Sequence, residues 1–208
     1  MKILLDASPD KIKRLSEEMD YSFLQLRTPL TQNKMFETGY ALDNGCFSEF
    51  HEKCWRRLLV EARQGMCRAD NPVKPLFVTL PDIVGDFMRT MELFEHFKRI
   101  TEGLPRALVL QNGVEHVEIP WRDIDAVFVG GDDSFKIAPS THRVLKCAKM
   151  MGKWVHVGRV NTILRAEAFE GMADSIDGSG MSRAIEPHRL EKLVEYIKGE
   201  NPQWGLAV

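Results

Sequence analysis

The sequence predicts a closed (β/α)8 barrel, the TIM barrel, as a compact single domain over residues 1–208. Three observations carry that expectation. Eight short runs rich in apolar and β-branched residues recur along the chain, stretches with helical spacing separate them, and most runs stop at Gly, Pro, Asp or Asn. Alternating strands and helices imply a parallel sheet, because each parallel pairing needs a crossover to bring the chain back. An open doubly wound sheet is the alternative assembly of the same elements.

In chain order the strands are expected at 2–6, 22–27, 39–43, 76–80, 107–111, 126–130, 153–158 and 174–177. Helical spacing covers 9–19, 48–65, 84–102, 139–151, 161–172 and 187–199, with weaker cover at 30–36 and 114–124. Ser8-Pro9 offers the first helix a capping hydroxyl and a proline suited to its first position. Ser48 is expected to cap the helix after the third strand and Asp86 the one after the fourth, while Pro139 and Pro187 open two later ones. A barrel of 208 residues is shorter than the roughly 250 typical of the fold, so its loops must be lean.

Composition narrows the function classes. A hydrophobic content of 44% without low-complexity stretches supports one full core. The formal charge of −2 excludes a uniformly basic coat, so contact with nucleic acid requires a local patch. No run approaches the roughly 20 apolar residues that span a bilayer. Cys46, Cys54, Cys67 and Cys147 form no C-x-x-C pair, and Met1-Lys2-Ile3-Leu4-Leu5-Asp6 is too short for a signal-peptide core. Reduced thiols in a cytoplasm are the expectation.

In a barrel, polar chemistry collects where strands end, which turns the eight strand ends into candidate site residues. At three of them an aspartate beside a small or turn-forming residue closes the apolar run. The third offers Asp43-Asn44-Gly45-Cys46-Phe47-Ser48, with Asp43 either free for chemistry or a turn aspartate bonding its own backbone. The fourth offers Leu80-Pro81-Asp82, and Asp82 can accept hydrogen bonds from the N–H groups of a guanine-like edge. The eighth offers Ile176-Asp177-Gly178-Ser179-Gly180, whose small neighbours leave Asp177 approachable as a nucleophile.

Between these, the fifth strand ends in Gln111-Asn112-Gly113 and the sixth in Gly130-Gly131-Asp132-Asp133, where paired glycines let backbone N–H groups approach a ligand. Lys136 beyond them is read as solvated or phosphate-facing, with an imine-forming lysine as the alternative. The seventh ends in His156-Val157-Gly158-Arg159: the arginine suits a phosphate or a plain surface, and His156 reads as a satisfied core histidine.

Taken in order, these strand ends resemble the tRNA-guanine transglycosylase family, above all its DNA-modifying relatives that exchange guanine for a 7-deazaguanine. Asp43-Asn44-Gly45-Cys46-Phe47-Ser48 resembles the family's Asp-Ser-Gly-Gly-Phe-Gln segment, with Asn44 and Cys46 departing from it. Asp82 resembles its base-reading aspartate, Gln111-Asn112-Gly113 its Gln-Gly-Gly, Gly130-Gly131 its base-contacting Gly-Gly, and Asp177 its nucleophilic aspartate. The likeness spans 39–183. The tRNA enzymes carry a zinc site of three cysteines and a histidine near the C-terminus; no cysteine follows Cys147 here, which favours a DNA-acting relative.

The resemblance implies a DNA base-exchange transglycosylase with Asp177 as nucleophile and Asp43 as proton shuttle. Asp82, Gln111, Gly130, Gly131 and Asn44 would hold the base, and Lys136, Arg143, Arg159, Arg165 and Arg183 are candidates for phosphate contact. The partners implied are DNA with a flipped guanine nucleotide and a free 7-deazaguanine base, with a homodimer as a further option and with no membrane, cofactor or metal. The competing expectation is a phosphate-binding lyase or isomerase that uses Lys136 or the same carboxylates.

Overall fold

Each apolar run forms a strand, and each strand pairs in parallel with the next. In the computed structural model, which describes residues 1–178 and 187–199, the strands are β1 (Lys2–Leu5), β2 (Leu24–Arg27), β3 (Tyr40–Leu42), β4 (Val78–Thr79), β5 (Arg106–Leu110), β6 (Ala126–Val129), β7 (Trp154–Val157) and β8 (Ser175–Asp177). Pairing of β8 with β1 in the register Ile3↔Ile176 closes the barrel. The closed fold is the expected (β/α)8 barrel, and the open sheet is excluded.

The helices among the described residues are α1 (Pro9–Glu18), α2 (Glu52–Met66), α3 (Phe87–Phe97), α4 (Asp133–Ile137), α5 (Pro139–Met150), α6 (Ile163–Glu167) and α7 (Pro187–Lys198). Local chemistry fixes several starts. Ser8 Oγ accepts from the Lys11 N–H, and an Asp86 oxygen accepts from the Arg89 N–H at 3.1 Å, so both expected caps form. Ser48 does not cap α2. Its N–H donates to Gly45 O within a turn, and α2 starts four residues later behind His51.

Two stretches of weaker helical spacing are not α-helical. Within 30–36 the buried amide of Gln25 intervenes: its nitrogen donates to Ala7 O and Lys34 O, and its oxygen accepts from the Phe36 N–H at 2.8 Å. A side chain that satisfies the backbone in this way displaces the helical ladder. Within 114–124 only the short 3-10 turn Val114–His116 forms. The absence of helices here accounts for a barrel of so few residues.

Two apolar layers result. Leu4, Leu26, Ala41, Phe77, Ala107 and Ala126 fill the barrel interior, while Trp55, Leu58, Phe87 and Phe94 pack helices onto its outside. Trp55 is fully buried and its indole N–H donates to Thr79 O, so truncating it to alanine should cost about 3–5 kcal/mol. Three alanines inside the barrel leave room for Phe77 and Phe128, whose rings stand 5.1 and 4.7 Å from that of His156. No described helix is long and apolar enough to cross a membrane, and all four cysteines are free.

Candidate functional site

The strand ends converge on one cavity of about 470 Å³, lined by Asp43, Asp82, Gln111, Gly130, Gly131, Arg159 and Asp177, with Phe47 and Phe128 as its aromatic walls. Parallel pairing brings them together: each residue lies at or just beyond the C-terminal end of its strand, on the same face of the barrel.

Asp177 is the last residue of β8. One carboxylate oxygen lies 2.9 Å from His156 Nε2, and the other accepts from the Arg159 N–H at 3.2 Å. Its side chain keeps an exposure of 13%, which leaves the carboxylate in contact with the cavity. Arg159 bonds this way only because its backbone is left-handed, with φ +60, a conformation rare outside glycine. His156, expected to be a satisfied core histidine, is fully buried as anticipated, and it also binds the candidate nucleophile directly.

Asp43 follows β3. Its Oδ1 accepts from the Asn44 N–H at 2.9 Å. Burial, and behind it the negative charges of Asp177 and Asp82, push its pKa up from 3.8 to about 7. A carboxyl that titrates there can both give and take a proton near neutrality.

Asp82 is buried and gripped by two amides. Asn44 Nδ2 donates to one oxygen at 2.8 Å and Gln111 Nε2 to the other at 2.6 Å. Burial raises its pKa, and these hydrogen bonds oppose the rise. The Cys46 thiol bonds the carboxylate as well, and the lone-pair capacity that remains leaves it oriented yet still able to accept.

Asn44 and Gln111 therefore act mainly within the protein. Asn44 spends its oxygen on the Cys46 N–H and its nitrogen on Leu80 O and Asp82. Gln111 Oε1 accepts from the N–H groups of both Gly85 and Gly131, which ties the loops after β4 and β6 together. The expectation that Gly130 and Gly131 offer free N–H groups to a ligand needs correction. Gly130 N–H donates to Leu110 O and Gly131 N–H to Gln111. Their lack of side chains serves close packing: a Cβ on Gly130 would stand 2.5 Å from Gln111 Nε2, and one on Gly131 would overlap the Phe135 ring.

The expected cationic patch is only partly present. Lys136, read as solvated or phosphate-facing, is 4% exposed, and its ammonium donates to Gly158 O at 2.5 Å. The five-residue helix α4 turns it inward, and burial, aided by the Arg159 guanidinium, pushes its pKa down to about 8. Lys136 does not line the cavity, which removes the support for an imine-forming role. Arg159 lies in the cavity wall, donating to Gly131 O at 2.6 Å with its guanidinium carbon 4.1 Å from the Phe47 ring centre. Arg165 pairs with Asp133, and Arg143 is exposed on α5. Arg183 lies outside the described residues.

Sequence reasoning missed Phe47, which stands 63% exposed at the cavity mouth, and the contact from His156 to Asp177. The first had a signal in its place beside Asp43. The second depends on the register of the neighbouring strands β7 and β8, which local spacing does not show.

Among the described residues no group of three or more His, Cys, Asp or Glu side chains is placed to hold a metal ion. Fold and site together define a (β/α)8 barrel with a carboxylate-lined cavity at the C-terminal mouth of its strands. No family model and no curated protein matches the chain.

Proposed function

We propose that the protein is a base-exchange transglycosylase that replaces guanine in DNA with a 7-deazaguanine through a covalent aspartyl intermediate. The observation that carries this reading is that Asp43, whose pKa burial pushes up to about 7, lines the same cavity as Asp177. A carboxyl that titrates near neutrality can move a proton while a second carboxylate beside the same cavity makes the nucleophilic attack.

In the first half-reaction Asp177 attacks C1′ of the flipped deoxyguanosine, and the C1′–N9 bond breaks with its electron pair going to guanine. The protonated Asp43 gives its proton to the departing base. In the second, the 7-deazaguanine loses its N9 proton to Asp43 and attacks C1′, and the ester bond electrons return to Asp177. Two inversions retain the configuration at C1′.

Asp82 accepts from the N–H edge of the base, and the second N–H of Gln111 is a donor for the base carbonyl. The cavity volume of about 470 Å³ falls in the range of small-ligand sites, room for a flipped nucleotide rather than a long segment of strand. Arg143 and Arg165 remain candidates to meet phosphates, with a cytoplasm as the compartment that suits four free cysteines.

Incubating DNA with labelled guanine tests this reading. The wild-type protein should place label in the DNA, and Asp177→Asn should leave none. Equal incorporation by the variant would reject the nucleophile, and the absence of incorporation by folded wild type would reject the reaction.

A further inference from the structure

Strands β7 and β8 carry four polar or aromatic side chains on their inward faces, Trp154 and His156 on one and Ser175 and Asp177 on the other. The two-residue period of a strand puts each pair on one face, and the register sets His156 level with Ser175. The side chains form one row. Trp154 Nε1 lies 2.8 Å from Ser175 Oγ, Ser175 Oγ lies 2.8 Å from His156 Nδ1, and His156 Nε2 lies 2.9 Å from Asp177 Oδ2.

The row has only one consistent arrangement of protons. An indole N–H donates and never accepts, so Ser175 Oγ is the acceptor from Trp154. Ser175 is fully buried, and His156 Nδ1 is the remaining acceptor for its hydroxyl hydrogen among the described residues. If Nδ1 carried a proton, that hydroxyl would be left a buried donor without a partner, which costs more than the hydrogen bond returns. Nδ1 therefore accepts, the ring proton sits on Nε2, and Nε2–H donates to Asp177.

A row of serine, histidine and aspartate can also activate a serine, but here it runs the other way. Ser175 is sealed inside the barrel, and Asp177 is the member that reaches the cavity. Phe77 and Phe128 pack against the imidazole, which keeps the ring in place.

We propose that His156 is a positioning residue for Asp177, locked by Ser175 and Trp154 as the neutral Nε2–H tautomer. It holds one carboxylate oxygen while the Arg159 N–H holds the other. A neutral donor suits both stages of the reaction, since it bonds the free carboxylate and then the carbonyl oxygen of the ester without giving up its proton. His156 so held is not a base, and the proton traffic falls to Asp43. The proposal rests on the assignment of Asp177 as nucleophile, but its structural half is independent of activity.

Two measurements test it. Nitrogen NMR of histidine-labelled wild type should show His156 protonated at Nε2 and bare at Nδ1, and Ser175→Ala should release that preference. A proton on Nδ1, or an imidazolium near neutral pH, would overturn the proposal even if exchange were never detected. In single turnover, His156→Phe should slow adduct formation by roughly 10- to 100-fold, the worth of one charged hydrogen bond, with unchanged affinity for DNA. His156→Gln, whose amide N–H can reach the same oxygen, should recover most of the rate. Wild-type rates in both variants would likewise overturn it. Failure of exchange in wild type alone would count against the transglycosylase reading and leave the NMR result to decide the tautomer.

Discussion

Replacing Asp43 by Asn should make the protein more stable while removing its activity. The folded protein raises the pKa of Asp43 from 3.8 to about 7, so it binds that proton more tightly than the unfolded chain does. Between those values the folded state holds the extra proton, and stability falls as pH rises until the folded pKa is passed. Asparagine keeps an oxygen for the Asn44 N–H and mimics the protonated form without titrating. The gain should be roughly 4 kcal/mol at pH 8 and less than half of that at pH 5. For a chain of this size the larger figure raises Tm by on the order of 10 °C. Thermal unfolding of the two proteins at both pH values provides the assay. A variant no more stable than wild type at the higher pH, or a difference that does not change with pH, would refute the argument that burial and like charge hold Asp43 near neutrality.

Other substitutions read other parts of the site. Asp82→Asn sets an amide nitrogen against Asn44 or Gln111, both of which donate, so the base concentration for half-maximal exchange should rise roughly tenfold or more in steady-state kinetics. Gly131→Ala forces a Cβ into the Phe135 ring at a backbone φ of +67 and should cost about 2 kcal/mol or more in denaturant unfolding. Phe47→Ala removes an exposed ring under the Arg159 guanidinium, so stability should change by less than about 1 kcal/mol while adduct formation slows in single turnover.

The strands were legible because a parallel strand covered on both faces is a nearly unbroken apolar run, and the Gly, Pro and Asp residues that stop it are visible. Asp43, Asp82 and Asp177 were legible for the same reason, since the strand end itself marks the mouth of the barrel. The errors lie in side-chain contacts outside the repeating pattern. Gln25 reaches Lys34 and Phe36 to displace a helix, and nothing in the local spacing announces it. Lys136 follows two aspartates in a segment that reads as exposed, yet α4, too short to show a period, turns it onto Gly158. Asn44 and Gln111 carry the right chemistry for a base, but most of their hydrogen-bonding capacity goes to fixing Asp82 and the neighbouring loops. His156 gains its meaning only when β7 and β8 come into register.

Base exchange is tested most directly by mass spectrometry of the nucleosides released from DNA after incubation with the protein and a 7-deazaguanine base. The expected product is a 7-deazaguanine deoxynucleoside with wild type and none with Asp177→Asn. DNA left unmodified by the folded wild-type protein across candidate 7-deazaguanines, or modified equally by the variant, would contradict that expectation.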